Sequence, residues 1–127
     1  LHHSIKINVM TNLISWVEIP ATEFERAVKF YNIVLDLDLK QNDFGTEKMA
    51  ILPNDEGEIS YAPDFNPSKD GVLVSLNAGD SLDEVIQRIS ENGGSIIQAK
   101  TKIEAAGRGY FALFLDSEGN RLGLYGN

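Results

Sequence analysis

The 127-residue sequence contains no cysteine, and its only histidines are His2 and His3. The lack of cysteine excludes disulfides, thiolate nucleophiles and zinc–sulfur sites. It also fits a cytoplasmic protein, since disulfides are rare in cytosolic proteins. Residues 1–10 precede the first apolar pattern, and we interpret them as an extension or remnant outside the fold. The domain at 11–127 then has no imidazole for metal binding or acid–base chemistry.

Positive charge and long apolar runs are also scarce. The chain has 11 Lys and Arg residues against 19 Asp and Glu, for a net charge of −8. Such a surface repels phosphate backbones and anionic lipids, so we expect neither a nucleic-acid partner nor a membrane partner. No apolar run approaches the ~20 residues of a membrane span, and no segment has the apolar region of a signal peptide.

The spacing of apolar residues predicts the same order of elements in each half: one strand, one helix and three strands. The first half has predicted strands at 13–19, 35–41, 48–52 and 58–62 and a helix at 24–34. The second half has predicted strands at 71–77, 95–100, 110–115 and 121–125 and a helix at 81–92. The segment at 62–71 is rich in Pro, Asn and Asp, which indicates a linker.

This order predicts a single α+β domain built from two β-α-β-β-β modules, at about 11–63 and 70–127. One helix and four strands bury only one face of a sheet well. We therefore expect the two modules to form a curved mixed sheet, with the helices outside and a concave cleft inside.

Both predicted helices begin with sequences typical of helix caps. Thr22 is placed to cap the first helix, and the acidic residues that follow suit its positive end. Ser81 precedes Glu84 by three residues, which predicts a capping box at the start of the second helix.

Several segments resemble one known superfamily. They are Val-Glu-Ile-Pro at 17–20, Glu-Arg-Ala-Val-Lys-Phe-Tyr at 25–31, Asn-Gly-Gly at 92–94 and Glu-Gly-Asn-Arg-Leu-Gly-Leu at 118–124. In this order and spacing, the chain resembles the glyoxalase/bleomycin-resistance/dioxygenase (vicinal oxygen chelate, VOC) superfamily from about residue 12 to 125. The nearest subgroup is that of predicted lactoylglutathione-lyase-related proteins. The resemblance implies a homodimer.

The resemblance also implies where a metal would be held. Metal-dependent members of this superfamily carry His or Glu ligands on four strands, and these positions fall here on Trp16, Gly123, Val72 or Val74, and near Glu58. Glu58 is either a remaining ligand or a hairpin-end charge in solvent. Because a catalytic divalent ion needs about three protein ligands, we predict no cofactor and disfavour a divalent metal.

The first predicted strand places Trp16 and Glu18 on one face, and the last places Arg121, Gly123 and Tyr125 on one face. If those faces line the cleft, Trp16 stacks on a ligand or fills the space of the absent metal. Glu18 beside an indole would have a raised pKa and act as a general base. Alternatively, Glu18 pairs with Arg121 or reaches solvent.

Three functions remain open, in decreasing order of preference. The first is metal-independent binding of a small, partly apolar molecule by Trp16, Val72, Val74 and Tyr125. The second is a lyase or isomerase of the glyoxalase type that uses Glu18 or Glu58. The third is a non-catalytic, degenerate VOC subunit without a ligand.

Overall fold

A computed structural model describes residues 12–127 of the chain, except 106 and 108. The predictions for residues 1–10, including both histidines, lie outside the described residues. Within the described part, no helix has the length and hydropathy needed to cross a membrane.

Each half of the chain consists of one strand, one helix and three further strands, as predicted. The first module contains β1 (Val17–Pro20), α1 (Phe24–Val34), β2 (Lys40–Asp43), β3 (Lys48–Ile51) and β4 (Gly57–Tyr61). The second contains β5 (Ser75–Gly79), α2 (Leu82–Glu91), β6 (Ser95–Lys102), β7 (Tyr110–Leu115) and β8 (Arg121–Gly126). The prediction of a two-module α+β fold is confirmed.

The two modules have the same sheet topology. Their strand orders are β1-β4-β3-β2 and β5-β8-β7-β6, with the β1–β4 and β5–β8 pairs parallel and the other pairs antiparallel. Ile19, Ile59 and Leu124 are buried on the face of the sheets that packs against the helices. The opposite face of each sheet carries alternate residues such as Glu18 and Arg121. We call the space on that side of the sheets the cleft.

Three predicted strands begin later than the sequence pattern indicates, and the first of them, predicted from residue 13, is β1 from Val17. The apolar alternation at 35–41 starts outside β2, because Asp36 has a φ of 54° and turns the chain after α1. Leu39 is buried there as part of a connection that packs on the core. At 71–77 only the later residues belong to β5, and Val72 is 92% exposed. The alternation of apolar residues therefore did not predict where these strands begin to pair.

One hydrophobic core spans both modules. Phe30 of α1 and Phe114 of β7 stack with their ring centroids 6.4 Å apart. Gly94, which leads into β6, lies so close to them that an added Cβ would be 2.8 Å from the Leu115 carbonyl oxygen and 3.0 Å from the Phe30 ring. The two modules therefore cannot separate without exposing buried aromatic surface.

A polar contact joins the modules beside this core. The turn at 116–120, which we call the hairpin clasp, connects β7 to β8. Within it the buried Asp116 carboxylate accepts a hydrogen bond from the Tyr31 hydroxyl at 2.6 Å. Asp116 also accepts from the backbone N–H groups of Glu118 and Asn120. The Asn120 side chain then donates to the Pro20 carbonyl at 2.8 Å, so the clasp of one module holds the end of β1 in the other.

The clasp also caps α1, which corrects the prediction for Thr22. Glu118 accepts hydrogen bonds from the backbone N–H groups of Thr22 and Glu23, at 3.0 and 2.8 Å, and from Arg26 Nε at 2.7 Å. No side chain of the first module forms the cap at the residue before the helix. A carboxylate from the second module therefore supplies the negative charge that the helix N-terminus favours.

The predicted capping box of α2 does not form. Ser81 stands at the cap position, but its side chain makes no capping hydrogen bond. The Leu82 N–H donates instead to the Asn127 carbonyl oxygen at 3.2 Å. As in α1, a partner distant in sequence satisfies a donor at the start of the helix.

Replacing Tyr31 with Phe should destabilise the protein by about 1.5–3 kcal/mol, because the buried Asp116 carboxylate loses a charge-assisted hydrogen bond. Urea unfolding measures the change. The matched control is Tyr61→Phe, since the Tyr61 side chain is 37% exposed. If both variants lose the same small amount of stability, the Tyr31–Asp116 hydrogen bond does not stabilise the fold as predicted.

Glu118→Gln should be destabilised by about 1–2 kcal/mol at pH 7. Burial acts to raise the pKa of Glu118, but hydrogen bonds from Arg26 and the Glu23 backbone outweigh it and hold the pKa below the ordinary 4.5. The charged carboxylate therefore stabilises the fold above pH 4.5, and this contribution is lost as the pH falls through the folded-state pKa.

Unfolding of Glu118→Gln and wild type between pH 3 and 7 tests this pH dependence. The difference between the two proteins should shrink below about pH 4.5. The exposed Glu104→Gln serves as the control and should show no such trend. A constant difference across the range would show that Glu118 acts by packing and not by charge.

Candidate functional site

Trp16 and Glu58 meet in the cleft. Trp16 immediately precedes β1, and its Nε1 donates a 3.1 Å hydrogen bond to Oε1 of Glu58 on β4. Glu58 is only 8% exposed, so the alternative of a hairpin-end charge in solvent is wrong. Burial raises the pKa of Glu58, the Trp16 hydrogen bond opposes this rise without cancelling it, and the nearby negative charge of Glu18 adds to it.

Glu18 does not occupy the buried position beside the indole. It is exposed on β1, directly across the parallel ladder from Glu58. The expectation of a desolvated carboxylate beside Trp16 is thus wrong for Glu18 and is met by Glu58 instead. Sequence alternation placed Glu18 on the same face as Trp16, but it could not supply the register between β1 and β4 that brings Glu58 to the indole.

The position in β8 that resembles a metal-ligand position has no side chain. Gly123 is buried and lies opposite Ser75 of β5. A Cβ added to Gly123 would be 2.5 Å from the Ser75 hydroxyl oxygen, so that hydroxyl occupies the space of a longer side chain. Val74 provides only its carbonyl oxygen, which accepts from the Gly123 N–H at 2.9 Å. Val72 lies before the strand.

These residues do not fit a divalent metal site. Glu58 supplies one carboxylate, already bonded to an indole, while Trp16 and Gly123 supply no metal-binding atom. Within residues 12–127, apart from 106 and 108, no group of three or more His, Cys, Asp or Glu side chains could hold an ion. The absence of a metal remains a prediction, because both histidines lie outside the described residues.

A smaller space lies where the two modules and the linker meet. This cavity, which we call the Glu18–Arg121 pocket, has a volume of about 260 Å³. Its charged residues are Glu18 at one wall and Arg121 at another. The linker and β5 segment add apolar surface from Phe65, Val72 and Val74. Tyr125, also predicted for the cleft, is 38% exposed farther along β8 and does not line the pocket.

Arg121 has an unusual environment in this pocket. Its Nε is buried and has no hydrogen-bond partner among the described residues. No ion pair links it to Glu18 in the described part of the chain, so that predicted alternative is not formed. The backbone of Arg121 does have a partner in the linker, because its N–H donates to the Ser68 carbonyl oxygen at 3.3 Å. A buried donor without a partner is costly unless another molecule satisfies it.

Two larger spaces lie along the seam between β1 and β5, with volumes of about 620 and 580 Å³. Neither is lined by Trp16, Glu58 or Arg121. The arginine of the larger space, Arg88, already donates from Nε to the Val34 carbonyl oxygen at 3.0 Å. Volume alone would favour the two spaces along the seam as the binding site. The charged groups without an ion-pair partner, however, line the Glu18–Arg121 pocket.

Glu58→Gln should gain stability relative to wild type as the pH rises. Because the folded-state pKa of Glu58 is raised, the wild-type protein loses stability as the pH increases from about 4.5 through that value. Gln is neutral and still offers an oxygen to Trp16 Nε1. Urea unfolding at pH 4 and pH 8 measures the change, with Glu104→Gln as the control. A stability difference between the variant and wild type that is the same at pH 4 and pH 8 would contradict the interpretation.

Comparison with known proteins agrees with this geometry. The sequence profile of the Glyoxalase/Bleomycin resistance protein/Dioxygenase superfamily matches residues 13–124. A Glyoxylase-like domain-containing protein from Didymella fabae is 32% identical in a match that covers 88% of this chain and 91% of that protein.

Solved structures have the same fold. A glyoxalase/bleomycin resistance protein from Albidiferax ferrireducens superposes with a TM-score of 0.66 at 17% identity, covering 91% of this chain and 100% of that one. Glyoxalase I from Zea mays superposes with a TM-score of 0.67 at 21% identity, covering 87% of this chain but 44% of that one. From the profile and the Didymella relative, this chain belongs to the glyoxalase/bleomycin resistance protein/dioxygenase superfamily.

Proposed function

We propose that this protein binds a small, partly apolar molecule in its cleft without the metal ion that many relatives use. The observation that carries the proposal is a cavity of about 260 Å³ lined by Glu18 and Arg121, which form no ion pair with each other in the described part of the chain. Ligand sites combine a mostly apolar lining with a few well-placed polar groups, and this pocket has that composition.

The second support is the way Trp16 is held. Its Nε1 is already bonded to Glu58, so the ring face, and not the N–H group, is available to a ligand. The side chain is 39% exposed. Trp16 does not line the pocket, so a ligand must extend past Glu18 along the cleft to contact the indole. A planar or apolar group there would stack on the indole.

The enzymatic alternative, a lyase or isomerase of the glyoxalase type, is favoured by one observation. Glu58 is a buried carboxyl with a raised pKa inside a cleft, and such groups are frequent general acids or bases. Glu18, the residue expected for this role from the sequence, is the exposed neighbour across the ladder. Binding ranks first because Arg121 lines the pocket without an ion-pair partner among the described residues, whereas Glu58 is already hydrogen-bonded to Trp16.

Fluorescence of Trp16, the sole tryptophan, tests the binding proposal. Titration with a panel of small aromatics and thiol adducts should change the emission and raise the melting temperature. Arg121→Met should weaken binding by about tenfold or more, since it removes a charged hydrogen-bond donor. Lys40→Met, which removes one positive charge from the exposed edge strand β2, should bind normally.

Adding chelator or Zn²⁺, Ni²⁺, Mn²⁺ or Fe²⁺ should change neither binding nor stability. A metal-dependent rise of several degrees that Glu58→Ala abolishes would overturn the metal-free proposal. Failure of every compound to bind would favour the remaining possibility of a non-catalytic subunit without a ligand.

A further inference from the structure

We infer that the ligand of the Glu18–Arg121 pocket is a small zwitterion: an apolar body bearing both a carboxylate and an ammonium group. This inference rests on the proposed binding function and specifies its ligand class. Its basis is that two opposite charges, one from each module, line the same cavity without forming an ion pair in the described part of the chain.

Arg121 favours a carboxylate. A guanidinium offers donors in a planar fork that matches the two oxygens of a carboxylate. Arg121 lines the pocket and forms no ion pair in the described part of the chain, so an incoming carboxylate would give its guanidinium a charged partner.

Glu18 then excludes a simple anion. Its carboxylate lines the same cavity, so a ligand that carries only negative charge is attracted by one wall and repelled by another. The net charge of −8 adds a general repulsion toward anions. A ligand that carries an ammonium group as well is attracted by both walls and approaches with no net charge.

The remaining polar groups of the pocket wall are already engaged. Asn120 donates to the Pro20 carbonyl and to Asp116, and its Oδ1 accepts from the Ser68 N–H at 3.0 Å. The Ser68 hydroxyl accepts from the Asp70 N–H at 3.0 Å. Of the lining side chains, Glu18 and Arg121 are therefore the charged groups left to recognise a ligand, and the Ser68 hydroxyl keeps its own hydrogen to donate.

The volume and lining limit the rest of the ligand. A cavity of about 260 Å³ is slightly below the ~300–1,000 Å³ usual for ligand sites, so it favours a small ligand. Phe65, Val72 and Val74 supply apolar, branched surface. A branched aliphatic amino acid meets these conditions, and L-leucine is a suitable probe.

The test compares three matched probes by isothermal titration calorimetry: L-leucine, 4-methylpentanoate without the amine, and 3-methylbutylamine without the carboxylate. Wild-type protein should bind L-leucine at least about tenfold more tightly than either of the others, because each lacks one charged contact. Lys40→Met again serves as the control and should keep this preference.

The two charge variants should change the preference in opposite ways. In Glu18→Gln, 4-methylpentanoate should bind nearly as well as L-leucine, because the amine loses its partner and the repulsion of the acid is removed. In Arg121→Met, 3-methylbutylamine should equal L-leucine. Glu18 is exposed, so Glu18→Gln should fold normally even if Arg121→Met does not.

The outcomes separate this inference from the proposed function. If 4-methylpentanoate binds wild type as tightly as L-leucine and Glu18→Gln changes nothing, the zwitterion inference is wrong while binding in the pocket stands. If none of the three binds but the aromatic panel still alters Trp16 emission, the inference is again wrong and the binding function is retained. If neither set binds, both fail.

Discussion

The buried carboxylate of Asp116 fixes the arrangement on which the cleft depends. It accepts the Tyr31 hydroxyl from one module and the Asn120 amide from its own, and Asn120 in turn holds the last carbonyl of β1. The pocket residues are immediate chain neighbours of this contact: Arg121 follows Asn120, and Glu18 lies two residues before Pro20. The polar joint between the modules therefore also sets the distance between the two charges of the pocket.

The chain has the superfamily fold, and two of its positions that resemble metal-ligand positions carry Trp16 and Gly123, which supply no metal-binding atom. The Trp16 indole bonds Glu58, and the Ser75 hydroxyl fills the space beside Gly123. The charged groups without an ion-pair partner, Glu18 and Arg121, lie at the end of the cleft near the linker. The binding proposal therefore places recognition at that end of the cleft, by charge and apolar contact.

Sequence periodicity predicted the element order and the bounds of α1 and β7, because amphipathic spacing is a local property. Periodicity did not predict the features that depend on contacts between residues distant in sequence. The cap of α1 comes from Glu118, 95 residues from Glu23, and no local pattern indicates it. The burial of Glu58 follows from the register of β1 against β4. The isolation of Arg121 depends on how the linker folds over it.

The pairing of Gly123 with Ser75 has a consequence for any redesign of this cleft. A Cβ at Gly123 would meet the Ser75 hydroxyl oxygen at 2.5 Å, so a side chain placed there requires Ser75 to rotate or to be replaced as well. Positions 75 and 123 therefore form one unit for design and have to be changed together.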